Sequence, residues 1–360
     1  MIIPSIKLGK RELGQIGVYN NDSNRKNCHA GAPLQSDSVS FGYNIRFKNC
    51  DIPCSSCGGK MITSKLYKKF TERIVSKSTK EILNIIAEYR KYLRPTEKAC
   101  LEILRKENKL NPDADLNELL IGLSPKFLAS LKIEQFRVLD KIDNLGTKLP
   151  LEEQKTLKHL NNNAKSIISG RRHGAGNFKR KIWLDNIFNF VQTLPNQQLA
   201  REIYQTADSF PTSENSVNAF IVKYLRREPM EIARRFLIDN IVSVDHILAK
   251  GLGGESHWDN YVLKCRGCNS REGHDTPLER VQKNPHMPKH SQKSMDKIIG
   301  FINAGGKKFG RLYNYPKVIA EKYHELTQCP KTGKSLIKLD ISGLKPKGWI
   351  DEQRRLNREQ

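Results

Sequence analysis

The chain has 360 residues, of which 38% are hydrophobic, and a formal net charge of +24 at pH 7. Its length is enough for two or three units with their own cores, and its mean hydropathy of −0.59 is typical of a water-soluble protein. No apolar run is long enough to span a bilayer, and the start of the chain has no signal-peptide core, which argues against a membrane protein and against Sec export. We expect a cytoplasmic protein, with secretion of an uncleaved effector as the alternative.

Positive charge is the strongest bulk property of the sequence. A soluble protein does not need such an excess, because it increases self-repulsion in the folded state. Charge therefore favours a nucleic acid partner; a solvated basic face and a basic contact with a membrane surface are the alternatives. The basic clusters that resemble phosphate-facing surface are Arg171-Arg172-His173, Lys179-Arg180-Lys181, Arg226-Arg227 and Arg234-Arg235.

The first part of the chain is predicted to be a tail followed by a cysteine-bearing turn. Residues 1–45 are rich in Asn, Ser, Gly and Lys without a sustained period, which predicts a flexible N-terminal tail. Residues 46–65 contain Cys54-Ser-Ser-Cys57, and the two glycines that follow let backbone amides approach the sulfurs.

The cysteines are arranged as two C-x-x-C pairs, the second being Cys265-Arg-Gly-Cys268. Eight cysteines in a chain of this length do not make a disulfide scaffold. In an intracellular protein, two such pairs favour a four-thiolate zinc site. The gap between the pairs is far longer than in a zinc finger, so we expect a domain inserted between the two halves of the site.

Residues 66–236 have a helical period and predict that inserted domain. Ser78 and Glu81 form a capping-box pattern ahead of an apolar helix face. Pro95 ends this helix, and Thr96 is placed to cap the next one. Further helices, separated mainly by prolines that include Pro125, are predicted over 97–109, 125–142, 150–168, 178–193, 196–207, 214–227 and 229–238.

Residues 237–285 predict a compact module of two strands and a helix. The β-branched residues of 241–245 favour a strand, 251–254 a glycine-rich loop, and 261–265 a second strand. A helix is expected to begin at Asn269, with the asparagine as its cap.

Residues 286–360 predict a C-terminal helical extension with a polar tail. Apolar spacing favours helices over 294–303 and 315–324. The end of the chain, from residue 344, is polar and is predicted to fray.

The polar residues around the two predicted strands fit the hydrolysis of a phosphodiester bond. That reaction needs an activated water and a group that neutralises the charge developing on the phosphoryl oxygens. His246, at the end of a strand, is suited to activate the water. Asp245 and Asn269 offer oxygens to a hard cation, although Asp245 enters the site of His246 only if the strand ends or twists there. Asn260 is placed to hydrogen-bond across the loop.

The motifs of this region occur in a fixed order at short spacing. They are Asp245-His246-Ile247, Gly253-Gly254, Asn260-Tyr-Val-Leu, Cys265-x-x-Cys268-Asn269, Arg271-Glu-Gly273 and Thr276-Pro277, with Cys54-Ser-Ser-Cys57-Gly upstream. This pattern resembles the HNH endonuclease family, which has the ββα-metal fold. The resemblance implies His246 as general base, Asp245 and Asn269 as ligands of a catalytic divalent cation such as Mg²⁺, and Asn260 as a structural asparagine. His274 is a lesser candidate for the cation site.

The resemblance also implies a structural zinc ion bound by Cys54, Cys57, Cys265 and Cys268, with Cys50 as an alternative ligand. The expected fold class is therefore mainly α with a small α+β module of the ββα-metal type. A large helical insertion is expected between the two halves of the zinc site.

Two functions follow as expectations. The first is a metal-dependent endonuclease that hydrolyses DNA, as a bacterial defence or restriction nuclease, a toxin or a mobile-element enzyme. Its helical domain is then a candidate docking site for a regulatory or inhibitor protein. The alternative is a non-catalytic DNA-binding protein stabilised by zinc. The set of Asp245, His246, Asn260 and Asn269 favours the enzyme, because a protein that only binds DNA does not need these four residues together.

Overall fold

The computed structural model describes residues 38–40, 46–48, 52–170, 179–273, 275–304, 313–330 and 332–359. Most of these residues are helical, and the strands among them form two small antiparallel sheets. The predicted fold class, mainly α with a small α+β module, is confirmed. The tail predicted over 1–45 lies outside the described residues except for Ser38–Ser40, which form a strand.

The strands pair in sequence order. β1 (Ser38–Ser40) pairs with β2 (Arg46–Lys48), and β3 (Val242–His246) pairs with β4 (Tyr261–Cys265). Because register partners share one face of the sheet, the ring of His246 lies beside Tyr261 on one face, and Asp245 lies on the other.

The segment that carries the first cysteine pair is attached to this second sheet. Ile62 bridges to Ile241 in parallel, with its N–H donating to the carbonyl of Asn240 at 2.9 Å. Its own carbonyl accepts from the N–H of Val242 at 3.0 Å. These bonds bring residues far apart in sequence to the start of β3.

The described residues between 63 and 239 are mainly helical. The helices among them are α1 (Ser64–Arg73), α2 (Thr79–Glu88), α3 (Pro95–Leu110), α4 (Leu116–Gly146), α5 (Leu151–Ile168), α6 (Arg180–Thr193), α7 (Gln197–Asp208), α8 (Val217–Lys223) and α9 (Pro229–Ile238).

The long helix α4 joins the two apolar cores of the helical region. Its first turns contribute Leu116 and Leu120 to a core shared with α1–α3, α8 and α9. Its last turns contribute Leu139 and Ile142 to a core shared with α5–α7. A single helix therefore holds both halves of the insertion together.

Pro125, predicted to separate two helices, lies inside α4. An interior proline costs a helix about 3 kcal/mol. Burial of Leu119 and Leu120 in the preceding turns offsets this cost, at about 1.5–3 kcal/mol for each side chain. The capping box of Asp115 with Glu118 also fixes the start of the helix.

One of the two predicted helix caps is confirmed and the other is wrong. The capping box of Ser78 with Glu81 is confirmed. Thr96 does not cap α3: Arg94 is the cap residue, and Pro95 takes the first helical position, where its missing N–H has no intrahelical partner to lose. The hydroxyl of Thr96 instead donates to the carbonyl of Glu214 at 2.8 Å.

The helices after β4 are α10 (Arg266–Glu272), α11 (Pro277–Lys283), α12 (Met287–Asn303), α13 (Tyr315–Leu326) and α14 (Lys347–Glu359). Side chains of α12 and α13 share one core with the second sheet. The end predicted to fray is helical in α14, where Ile350 is buried in that core. None of the described helices is both long and apolar enough to cross a membrane.

Candidate functional site

The four cysteines of the two C-x-x-C pairs meet at one point. Their sulfurs all lie within 4.8 Å of one another, and those of Cys57 and Cys265 are 3.9 Å apart. Zn–S bonds of about 2.3 Å in a tetrahedral site place the sulfurs about 3.8 Å apart. Cys54, Cys57, Cys265 and Cys268 are thus positioned to bind a metal, as the sequence predicts. Cys50 lies outside the described residues.

Backbone hydrogen bonds form the two turns around the sulfurs. The N–H of Cys265 donates to Sγ of Cys54 at 3.3 Å. The N–H of Gly58 donates to the carbonyl of Cys54 at 2.8 Å, and its φ of 69° is one that glycine adopts without strain. The N–H of Ser55 donates to the carbonyl of Leu263 in β4 at 3.1 Å. The first pair is therefore held directly against the strand that carries the second.

Two arginines lie next to the sulfurs. Nη2 of Arg271 donates to Sγ of Cys268 at 3.2 Å, and Nη2 of Arg94 lies 3.9 Å from Sγ of Cys265. Hydrogen bonds from the other three thiols, that of Cys265 foremost, and the nearby Arg271 lower the pKa of Cys268. The pKa values of Cys54, Cys57 and Cys265 are raised instead, so the surroundings stabilise thiolate, the form that binds a metal, at Cys268 alone.

Arg94 extends the metal site into the helical insertion. It lies at the start of α3, and its guanidinium donates to Oδ1 of Asn240 at 2.9 Å and to the carbonyl of Asp239 at 3.1 Å. Gly267 makes room for it, since a Cβ there would lie 2.3 Å from Nη2 of Arg94. Glu214 of the insertion lies 3.6 Å from Arg94 and also pairs with Arg271. The insertion and the cysteine turns are therefore joined by charged hydrogen bonds.

His246 lies half-buried at the end of β3. Its ring meets the ring of Tyr261 edge-on, with centroids 4.9 Å apart. Within the described residues, its Nε2 atom is buried and has no hydrogen-bond partner. Burial lowers the pKa of His246 below its ordinary value, so the imidazole is neutral near pH 7. A neutral imidazole that is partly exposed at a strand end can act as a general base.

Asp245 lies in a buried network of four charges. Its Oδ2 is 2.8 Å from Nζ of Lys264 and 3.4 Å from Nη1 of Arg280, and its Oδ1 accepts the N–H of His246 at 2.8 Å. Lys264 also pairs with Glu272 of α10. Burial opposes the charged lysine, but the carboxylates of Glu272 and Asp245 outweigh it and raise the pKa of Lys264. Asp245 is thus already paired with two cations.

Asn269 lies in the second turn of α10 and does not cap it. The helix begins three residues earlier, with Cys265 as its cap residue, because the cysteine turn itself bends the chain into the helix. The side-chain nitrogen of Asn269 lies 3.3 Å from Oγ of Ser243 and 3.4 Å from the carbonyl of Val244. Among the described residues its side-chain oxygen accepts no hydrogen bond, so it is available to a cation or a water beside β3.

The buried side chain of Asn260 forms hydrogen bonds across the loop between β3 and β4. The residue is fully buried, and its side chain pairs with both backbone groups of Leu248, accepting from the N–H and donating to the carbonyl at 2.9 Å each. It also donates to the carbonyl of Glu255 at 2.9 Å. Gly254 fits only without a side chain, since a Cβ there would lie 1.8 Å from the carbonyl oxygen of Leu248.

Replacing Asn260 with alanine is expected to lower the free energy of unfolding by about 2–4 kcal/mol, because buried backbone groups lose their partners. Asn260→Asp keeps the acceptor for Leu248 but turns a carboxylate oxygen toward the carbonyls of Leu248 and Glu255, so it is expected to be at least as destabilising as the alanine variant. Urea unfolding of both variants measures the effect. Equal stability of the alanine variant and the parent would show that the loop does not depend on this side chain.

The sequence reasoning missed the charged residues that surround the site. Lys264 is the one with a readable signal: it interrupts an apolar strand next to a cysteine pair, and such a lysine needs buried acidic partners. Arg94 and Arg280 gave no local signal, since their partners Asn240 and Asp245 are distant in sequence, and Glu272 is one charged residue in an exposed-looking polar stretch. His274, the lesser candidate, lies outside the described residues.

Comparison with known proteins agrees with this geometry. Residues 236–284, which hold β3, the loop, β4 and α10, match the model of the HNH endonuclease family. No curated protein and no solved structure matches the chain. Residues 236–284 therefore match the HNH endonuclease family, and the cysteine pair within this segment meets a second pair from the other side of the helical insertion in an arrangement positioned to bind a metal.

Proposed function

We propose that the protein is an HNH endonuclease that hydrolyses phosphodiester bonds of DNA. The observation that carries the proposal is the neutral, half-buried imidazole of His246 at the end of β3, within the segment that matches the family. The net charge of +24 supports a polyanionic substrate.

His246 is the proposed general base. Its ring packs edge-on against Tyr261, and its backbone N–H is bonded to Asp245, which ties the end of β3 at this residue. The imidazole takes a proton from the attacking water. Such proton transfer contributes about 10²–10⁴-fold to a rate.

Asn269 and Asp245 are the proposed ligands of a divalent cation, with Mg²⁺ as the candidate. The side-chain oxygen of Asn269 is available within the described structure. A carboxylate has about four lone-pair sites, and three bonds to Asp245 leave one of them. A cation held there would neutralise charge developing on the phosphoryl oxygens. The fit is partial, because two cationic side chains already balance the charge of Asp245. Asp245 also lies on the face of the sheet opposite the His246 ring, so the two side chains can serve one phosphate only around the end of β3.

Zinc is the proposed ion of the cysteine site, with a structural role. Four thiolate ligands leave no open position for substrate, which is the pattern of structural zinc sites. The cysteine site lies at the start of α10, because Cys265 is the cap residue of this helix and Cys268 lies within it. A zinc ion bound there would fix the start of the helix that carries Asn269.

The helical insertion is proposed to contribute to DNA binding through Lys181. Lys283 of α11 joins the insertion to the nuclease module by pairing with Asp185 of α6 and with Asp275, at 3.0 and 3.1 Å. This docking places Nζ of Lys181 3.3 Å from the Cβ position of Gly273, at the end of α10. The side chain is exposed and forms no ion pair with another described residue.

Replacing Lys181 with alanine is expected to weaken DNA binding and to reduce the salt dependence of log K by about 1, because one phosphate contact is lost. Lys77→Ala is the matched control, since this exposed lysine pairs with Glu81 on α2. Fluorescence anisotropy at a series of salt concentrations measures both. If log K depends on salt concentration with the same slope in the parent and in Lys181→Ala, Lys181 does not contact a phosphate of the DNA.

A nuclease assay tests the proposed function. Purified, zinc-loaded protein is expected to cut plasmid DNA in Mg²⁺. Cleavage is expected to stop when EDTA is added for a time too short to extract the zinc ion. A protein that binds plasmid DNA without cutting it under any divalent cation would instead be a zinc-stabilised DNA-binding protein.

A further inference from the structure

Lys264 places a positive charge beside the proposed cation site. Its side chain is fully buried, and its Nζ atom lies 2.8 Å from Oδ2 of Asp245. The same ammonium pairs with Glu272, whose carboxylate also accepts from the hydroxyl of Ser56 next to the cysteine turn. Lys264 is therefore held in place from both sides and is not a mobile surface charge.

The charges of this network cancel. Asp245 and Glu272 supply two negative charges, and Lys264 and Arg280 supply two positive ones. Arg280 is almost fully buried and is fixed by further bonds, since its Nη1 atom donates to the carbonyls of His246 and Ile247 at 2.9 and 3.2 Å. A cation that approaches Asp245 therefore meets a neutral network in which one carboxylate oxygen is already bound to an ammonium.

The affinity of an oxygen-ligand site for a divalent cation depends on the charge and the number of its ligands. The only charged ligand proposed at this site is Asp245, and Lys264 offsets its charge from hydrogen-bond distance. The other proposed ligand, Asn269, is a neutral amide. The arrangement thus predicts weak cation binding, and Lys264 is the group responsible.

We propose that Lys264 competes with the catalytic divalent cation. The ammonium of Lys264 occupies Oδ2 of Asp245 and thereby sets the affinity of the site for the cation. This inference rests on the proposed function, because it takes Asp245 and Asn269 as the cation ligands. Lys264 is a positioning residue in this scheme: it acts through Asp245 and does not touch the substrate.

A series of charge variants tests the inference. Lys264→Met keeps an unbranched side chain of similar length and leaves the network with a net charge of about −1. Lys264→Met combined with Glu272→Gln removes the competitor while the network stays neutral. Glu272→Gln alone keeps the competing lysine and gives the network a net positive charge. It is the matched control, because it changes the charge of the network in the opposite direction to Lys264→Met.

Mn²⁺ binding is the readout, measured by electron paramagnetic resonance on the full-length protein after zinc has been bound. Lys264→Met is expected to bind Mn²⁺ about tenfold more tightly than the parent or better, because the removed charge lies within ~4 Å of the ligand oxygen. The double variant is expected to gain less, and Glu272→Gln to bind more weakly than the parent. Damage to the fold only weakens binding, so a gain of affinity is specific to the proposed competition.

The double variant decides the question if Lys264→Met does not fold, since it leaves neither a lysine nor a glutamate unpaired. Mn²⁺ affinity equal to or weaker than that of the parent, in a variant with a native melting transition, overturns the inference about Lys264. That result leaves the proposed function intact if the parent still cuts plasmid DNA. Failure of the parent to cut DNA in any divalent cation overturns the proposed function instead.

Discussion

Replacement of His246 with alanine is expected to lower the rate of plasmid cleavage by about 10²–10⁴-fold, because the proposed general base is lost. DNA binding and metal content are expected to stay at the parental level, since the imidazole forms no hydrogen bond with the described residues. Agarose-gel cleavage kinetics, anisotropy and metal analysis measure the three quantities. His257→Ala is the control: this histidine is exposed in the loop and pairs with Asp259.

The pH dependence of cleavage gives a second check on His246. Burial lowers its pKa below the ordinary value of about 6.5, so the neutral, active form persists into mild acid. The pH of half-maximal activity on the acid side is therefore expected to lie below 6.5, because activity falls as pH drops through the lowered pKa. A profile of kcat/KM against pH measures this limb. An acid limb above pH 6.5, or parental cleavage by the alanine variant, would assign the base to another group.

Loss of the cysteine-bound metal is expected to have the largest effect on stability. Structural zinc ions contribute about 10–16 kcal/mol to the folding of small zinc domains. Here the module also shares an apolar core with α12 and α13, so we expect a partial loss of structure. Cys265→Ser should lower the metal content from one ion per chain toward zero and lower the melting temperature, as measured by mass spectrometry and calorimetry.

The helical insertion should respond to the same change. Arg94 of α3 contacts Cys265, and Glu214 pairs with the arginine that contacts Cys268, so loss of the metal is expected to loosen the start of α3. Hydrogen exchange of the α3 amides measures this coupling. Cys329→Ser is the control, because Cys329 lies outside the four-cysteine site. Unchanged exchange in a metal-free protein would show that the insertion folds independently of the cysteine site.

Local signals in the sequence were enough for the helical elements. The Ser78 capping box and the apolar spacing after it depend on contacts within a few residues, and both appear in α2. Pro125 and Thr96 were misjudged for a common reason. The rules for proline and threonine describe an isolated helix, whereas the packing of α4 and the carbonyl of Glu214 belong to the tertiary structure.

The candidate site was predictable in its motif and unpredictable in its charges. The order of Asp245, His246, Asn260 and Cys265-x-x-Cys268 is a property of one short segment, and a matching segment was found by family comparison. The state of Asp245 was not predictable. Its partners Lys264 and Arg280 lie 19 and 35 residues away, and whether they neutralise it depends on the register of β4 against β3 and on the position of α11.

The sequence by itself determined the local elements: two cysteine pairs, an HNH-type motif and a helical region between the pairs. Only the tertiary structure decided that the two cysteine pairs meet, that Asn269 lies within α10, and that a buried lysine balances the aspartate beside His246. The reason is physical. Residue types and spacing fix what a segment can do locally, but the charge and the free oxygens of a buried site depend on groups brought together only when the chain folds.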